Sequence, residues 1–129
     1  MSLTNPGEAL RPCRPTPNCV STEATNLQHR MAPLPFHGTA ERAQADARAA
    51  LLQEPRMRLV LDRPGYIRAE ARSRVFRFVD DVEVVVDSTA KLVRFRSASR
   101  VGRDDLGVNR ARMERFSQRF RAITEAHGE

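Results

Sequence analysis

Alternating apolar and polar residues between positions 57 and 100 constrain the fold of this chain more than any other feature. Four runs, residues 57–62, 66–73, 76–87 and 91–100, place apolar side chains at every second position. A period of two is typical of a strand with one face against a core and the other in water. Because the connections between the runs are short, they predict a four-stranded antiparallel meander with one solvated face.

The turn between the last two runs predicts how their strands pair. Residues 87–91 read Asp-Ser-Thr-Ala-Lys, which is typical of a hairpin connection. Pairing Val86 with Val93 and Val84 with Phe95 keeps these apolar side chains on one face. A slip of one residue would turn one strand's apolar set to the other face, so we expect this register.

Two helices are predicted to cover one face of the sheet. The first spans residues 39–54 and begins with Thr39 as its N-cap. The second runs from about residue 105 to 125, with Asp104 or Asp105 supplying its cap. Its core-facing residues recur at alternating spacings of three and four. They are Leu106, Asn109, Met113, Phe116, Phe120 and Ile123. These elements together predict a two-layer α+β domain.

The N-terminal segment differs in composition from the rest of the chain. Residues 1–36 hold six of the eight prolines, which predicts an extended Pro-rich arm packed against a single domain of residues 37–129. The chain begins without a basic segment followed by an apolar one, and it contains no apolar run of about 20 residues. We therefore expect a cytoplasmic protein without a transmembrane segment. Export stays open if the N-terminus has been trimmed.

The formal net charge of +6 raises the question of an anionic partner such as nucleic acid. All the basic residues except Lys91 are arginines, and they are dispersed among acidic and apolar residues. The predicted register sets Glu83 opposite Arg96 and Asp81 diagonal to Arg100, so the outer-face charges are expected to pair with one another. Weak nucleic-acid binding through dispersed arginines is therefore kept only as an alternative.

The two cysteines do not form a metal-binding pattern. Cys13 and Cys19 are separated by five residues, whereas metal clusters normally use two-residue gaps and four ligands. No histidine has ligand spacing to them, so no metal site and no cofactor are predicted. The spacing is compatible with a small disulfide loop, which would need an oxidising compartment. Reduced thiols are the default for a cytoplasmic protein, and the sequence does not decide between the two states.

Four polar residues are predicted to meet where the sheet joins the second helix. Alternation puts Asp80 on the core side of its strand, together with Phe78 and Val82. The register places Ser99 opposite Asp80, with Ser97 next along the same face. Asn109 lies within the apolar stripe of the second helix. A buried carboxylate needs hydrogen bonds or a cation, because an unpaired one costs several kcal/mol.

Three interpretations of this cluster are open. The first is a polar lock that fixes the angle between helix and sheet, with Arg103 neutralising Asp80. A second is a pocket for a small anionic ligand, in which Arg100 and Arg103 donate alongside the helix N-terminus. The third is a hydrolase with Asp80 as base and Ser97 or Ser99 as nucleophile, although no histidine lies nearby.

Several longer motifs resemble the domain-of-unknown-function family 1499. They lie at residues 13–21, 32–36, 76–83 and 96–110, and the last two read F-R-F-V-D-D-V-E and R-S-A-S-R-V-G-R-D-D-L-G-V-N-R. The resemblance covers nearly the whole chain. It implies no particular activity, because the biochemical role of that family is not established.

These observations favour a non-enzymatic domain that binds a small ligand or a partner protein. The residues expected to form its binding site or polar lock are Asp80, Ser97, Ser99, Arg100, Arg103 and Asn109. No catalytic residue is assigned, and the hydrolase stays an alternative.

Overall fold

The structure is a computed structural model that describes residues 10–73, 78–102 and 104–127. Within them lie six strands and two helices. They are β1 (Cys19–Ser21), β2 (Leu34–Pro35), α1 (Ala40–Leu52), β3 (Met57–Arg63), β4 (Tyr66–Arg72), β5 (Val79–Asp87), β6 (Leu92–Ser99) and α2 (Val108–Ala126).

One antiparallel sheet contains all six strands, in the order β1-β6-β5-β4-β3, with β2 also paired to β6. The prediction of four strands is therefore wrong. The two additional strands come from the N-terminal segment and lie one after the other along the edge of β6, where Cys19 is opposite Ala98 and Leu34 is opposite Val93. Part of the segment that was predicted to be an extended arm thus completes the sheet.

The pairing of β5 with β6 follows the predicted register. Val86 is opposite Val93 and Val84 is opposite Phe95. These side chains are fully buried in the core between the sheet and the helices. The pairing of Asp80 with Ser99 follows from the same register.

Helix α1 begins as predicted, because the Thr39 hydroxyl accepts a hydrogen bond from the Arg42 N–H at 3.1 Å. Helix α2 begins three residues later than expected, and its N-cap is Gly107 in the left-handed conformation. The Asp105 carboxylate still accepts from the Asn109 N–H at 3.0 Å, so it satisfies one of the free donors of the first turn. Leu106 precedes the helix and faces solvent instead of the core.

The outer face of the sheet is not fully solvated, contrary to the prediction. Glu83 and Arg96 are buried there, as is the Tyr66 hydroxyl that donates to Glu83 at 2.7 Å. Residues from the N-terminal segment reach them: Arg11 donates to Glu83 at 3.3 Å, and Arg96 donates to the Pro12 carbonyl at 3.4 Å. The segment before β1 therefore covers part of this face.

Candidate functional site

A buried hydrogen-bond network joins β6 to the start of α2. The Ser97 hydroxyl donates to Asn109 Oδ1 at 2.6 Å. The Asn109 side-chain amide donates to Ser99 Oγ at 3.0 Å and to the Asp105 carboxylate at 2.7 Å. Asn109 is fully buried, and its position two residues into α2 lets it reach both the strand and the loop before the helix.

Arg112 supplies a cation to this network and was not predicted from the sequence. Its guanidinium donates to Asn109 Oδ1 at 2.8 Å and to Ser97 Oγ at 3.2 Å. It also forms an ion pair with Asp80, with Nη2 at 2.9 Å from Oδ2. The spacing could have indicated that Arg112 is buried, because residue 112 lies three positions after Asn109 and four before Phe116. Those are the spacings of the buried helix face.

Of the two arginines proposed for an anion site, the structure describes only Arg100, and it is not part of this network. Arg100 is exposed on the opposite face, where it donates to Asp81 at 2.9 Å and to Glu70 at 2.8 Å. Its hydrogen bonds hold the pKa of Asp81 below the usual value. The expectation that Arg100 lines the site is therefore wrong. Arg103 lies outside the described residues.

An open cleft of about 500 Å³ lies beside the network, between the end of the sheet and the loop that leads into α2. Asp80 and Ser99 line it together with the backbone at Gly102. Such a volume falls within the range of about 300–1,000 Å³ that is usual for small-molecule sites. The cleft thus connects the outer members of the polar network to solvent.

Exposed apolar side chains surround this cleft. Phe78, Val101 and Val108 are 54%, 57% and 47% exposed, and Leu106 is 90% exposed. Leu106 also has a φ of 55°, in the left-handed region that costs most residues about 1–2 kcal/mol. Folding gains little from an exposed leucine in such a conformation. Strained residues and clustered exposed apolar groups are both enriched at binding sites.

The charged side chains in the described lining of the cleft are carboxylates. Besides Asp80 they are Asp104, which accepts from the Leu106 N–H at 2.8 Å, and Asp105, which accepts from the Gly107 N–H at 2.9 Å. These two hydrogen bonds shape the tight loop before α2. No described arginine lines the cleft, so its described part does not favour an anionic ligand.

The comparisons with known proteins give one result. A family model described as protein of unknown function, DUF1499, matches residues 9–120 of the 129-residue chain. The chain belongs to this family. No curated protein and no solved structure matches the chain. Membership of DUF1499 assigns no activity, so the function of this member is inferred from the geometry described above.

In this DUF1499 protein the serines are poorly placed for hydrolysis. Ser97 is fully buried, and its hydroxyl is bonded to Asn109 and Arg112. Ser99 lines the cleft beside Asp80, but among the described residues the hydrogen bonds of the two serine hydroxyls go to Asn109 and Arg112 and not to that carboxylate. Nucleophilic catalysis needs a base within hydrogen-bond reach of the hydroxyl.

Cys13 and Cys19 form a disulfide, which decides the question that the sequence left open. Reduced thiols, the default for a cytoplasmic protein, are not what the structure contains. The described part of the chain has no group of three or more metal-ligating side chains. Neither described helix combines the length and apolar character needed to cross a bilayer.

Proposed function

We propose that this protein is a non-enzymatic binding domain whose cleft holds a small apolar ligand. The observation that carries the proposal is Leu106, an almost fully exposed leucine in a left-handed conformation at the edge of the cleft. Phe78, Val101 and Val108 add further exposed apolar surface around the same space. Burying such surface against a ligand stabilises a complex by about 25 cal/mol per Å².

In this proposal the buried network has a supporting role. Arg112 neutralises Asp80, and Asn109 ties the start of α2 to β6, so that the two walls of the cleft keep a fixed separation. A preorganised site binds more tightly, because less conformational freedom is lost on association. The polar lock and the binding site expected from sequence are thus neighbouring parts of one arrangement.

Nucleic-acid binding receives little support from the arginines, because many of them already have acidic partners. Among the described arginines, nine lie within ion-pair distance of a carboxylate: Arg11, Arg48, Arg72, Arg94, Arg96, Arg100, Arg112, Arg115 and Arg119. A phosphate backbone would have to compete with those carboxylates for the same donors.

The disulfide supports an oxidising compartment instead of the cytoplasm that we expected. Disulfides persist in secreted, periplasmic and comparable environments and are rare in the cytosol. Alkylation of thiols in the protein taken directly from its own cells tests this point. Blocked cysteines agree with the proposal, and two freely alkylated cysteines contradict it.

The ligand proposal is tested by titrating the protein with decanol, decanoate and decylammonium below their critical micelle concentrations. Amide NMR shifts report where each compound binds. We expect decanol to shift residues that line the cleft, with saturable binding. Absence of shifts there, or shifts spread evenly over the surface, contradicts the proposal. Tighter binding of decanoate than of decanol would restore the anionic ligand of the sequence analysis.

A pair of matched variants sharpens the test. Val101→Ser removes an apolar group from the cleft, and we expect decanol to bind about fivefold or more weakly. Val60→Ser makes the same change at an exposed position on β3, away from the cleft, and binding is expected to stay unchanged. Equal losses in the two variants would mean that decanol does not bind in the cleft.

A further inference from the structure

The disulfide closes a small ring that contains a residue of the cleft's support. The ring runs from Cys13 to Cys19, and Asn18 is its last residue before the second cysteine. Within the ring, the Thr16 hydroxyl donates to Asn18 Oδ1 at 2.9 Å. Asn18 is only 2% exposed. Its side chain is therefore held in one orientation by its immediate neighbours and by the closed ring.

Asn18 makes three contacts with the wall of the cleft and with the buried network. Its side-chain amide donates to the Gly102 carbonyl at 2.7 Å. Its own carbonyl accepts from the Ser99 N–H at 3.0 Å and from the Asn109 side chain at 3.2 Å. Gly102 and Ser99 both line the cleft. One buried residue thus joins the disulfide ring directly to the site.

The two sulfur atoms differ in how readily a thiol can reach them. Cys13 is half-buried, whereas Cys19 is almost fully buried in β1. An external dithiol would attack the Cys13 sulfur, and the Cys19 sulfur would leave as a thiolate and take up a proton. The second thiol of the reductant then attacks the reductant's first sulfur, which is bonded to Cys13 in the mixed disulfide. This step releases the Cys13 thiol and a cyclic disulfide, and two electrons and two protons pass to the protein.

We propose that the redox state of the Cys13–Cys19 pair controls ligand binding in the cleft. In the oxidised protein the ring holds Asn18 against Gly102 and Ser99, so the cleft wall is fixed. Reduction opens the ring and restores conformational freedom to residues 13–18, which weakens the hydrogen bonds that Asn18 makes. The inference rests on the proposed function, because it concerns the regulation of the same cleft.

The experiment compares decanol binding to oxidised protein, to dithiothreitol-reduced protein and to the Cys13→Ser/Cys19→Ser double variant. We expect about three- to tenfold weaker binding in the two forms that lack the disulfide, the reduced protein and the double variant. This is the effect of losing about one good hydrogen bond. Dithiothreitol should have no effect on the double variant, which controls for the reagent itself. Equal dissociation constants in the oxidised and reduced proteins would overturn the proposal.

A second variant tests whether Asn18 carries the effect. Asn18→Ala removes the contact with Gly102 while leaving the disulfide in place. We expect it to weaken decanol binding as reduction does, and reduction of this variant should then change binding little further. Independent, additive effects of the variant and of reduction would show that the disulfide does not act through Asn18.

A ligand-free measurement separates this inference from the proposed function. The Ser99 amide donates to the Asn18 carbonyl, so its hydrogen exchange reports on that contact directly. On reduction we expect exchange at Ser99 to accelerate at least about tenfold, while exchange at Val84 in the central strand β5 stays slow. If decanol does not bind at all, the ligand proposal fails, and selective exchange at Ser99 still supports the redox coupling. Equal acceleration at both amides, or none, contradicts it.

Discussion

The ion pair between Asp80 and Arg112 makes a quantitative prediction about stability. Their side chains are 12% and 9% exposed, so little water reaches either charge. Removing one partner of a buried pair costs about 3–5 kcal/mol, because the other charge is left uncompensated. Because Asp80 also borders the open cleft, water can reach it from that side, and we expect Arg112→Met to cost about 3 kcal/mol, at the lower end of that range.

The reverse variant, Asp80→Ala, leaves the Arg112 guanidinium with two neutral acceptors, Asn109 Oδ1 and Ser97 Oγ. We expect a cost of about 1–3 kcal/mol for it. The double variant removes both charges, so its cost should fall below the sum of the two single costs by about 2 kcal/mol. Urea unfolding of all four proteins measures this coupling, provided that the denaturant slope stays constant.

The pair formed by Asp81 and Arg100 provides the matched control. It involves the residue next to Asp80 in β5 but lies on the opposite face, and the Arg100 side chain is 47% exposed. Because water screens exposed pairs, we expect much weaker coupling in the corresponding cycle. Additive effects of the Asp80 and Arg112 substitutions, within about 0.5 kcal/mol, would refute the reasoning, since independent sites behave in that way.

Two further predictions concern helix α1 and its surroundings. Burial alone would raise the pKa of Glu54, but hydrogen bonds from Arg115 and Arg119 outweigh it and hold that pKa below the usual value for a glutamate. The Glu54 carboxylate therefore stabilises the fold at pH values above the usual glutamate pKa, and this contribution disappears as the pH falls through the lower folded-state pKa. Urea unfolding between pH 6 and 3 should show that the free energy of unfolding falls more steeply for the wild type than for Glu54→Gln. Gln44→Leu should cost about 1–3 kcal/mol in a thermal or urea melt, because the buried Gly65 N–H loses its acceptor at 2.7 Å; an unchanged midpoint contradicts this.

The part of the fold that was predictable from sequence is the part with a long repeating pattern. The alternation in β5 and β6 extends over 9 and 8 residues, enough to determine both the buried face and the register. Strands β1 and β2 have only 3 and 2 residues, so neither can display a period. Their pairing depends on the exposed edge of β6 and not on a local signal.

Two errors at the site have a common cause, which is periodicity extended beyond the element that produces it. Phe78 precedes β5 and Leu106 precedes α2, and both are exposed although their spacing predicted burial. Arg112 was missed for a different reason, since the predicted core-facing stripe of α2 did not include it. The sequence did predict that three residues lie close together, because each of them lies inside a regular element that fixes its position. They are Asp80, Ser99 and Asn109.

The account rests on the claim that Leu106 is exposed for binding and not for folding. Leu106→Asn tests it directly, because asparagine tolerates the left-handed conformation and removes the apolar side chain. We expect its unfolding free energy to stay the same or rise by up to about 1 kcal/mol, while decanol binds about fivefold or more weakly. The control, Leu27→Asn at another exposed leucine, should leave binding unchanged. Unimpaired decanol binding by Leu106→Asn would contradict the claim.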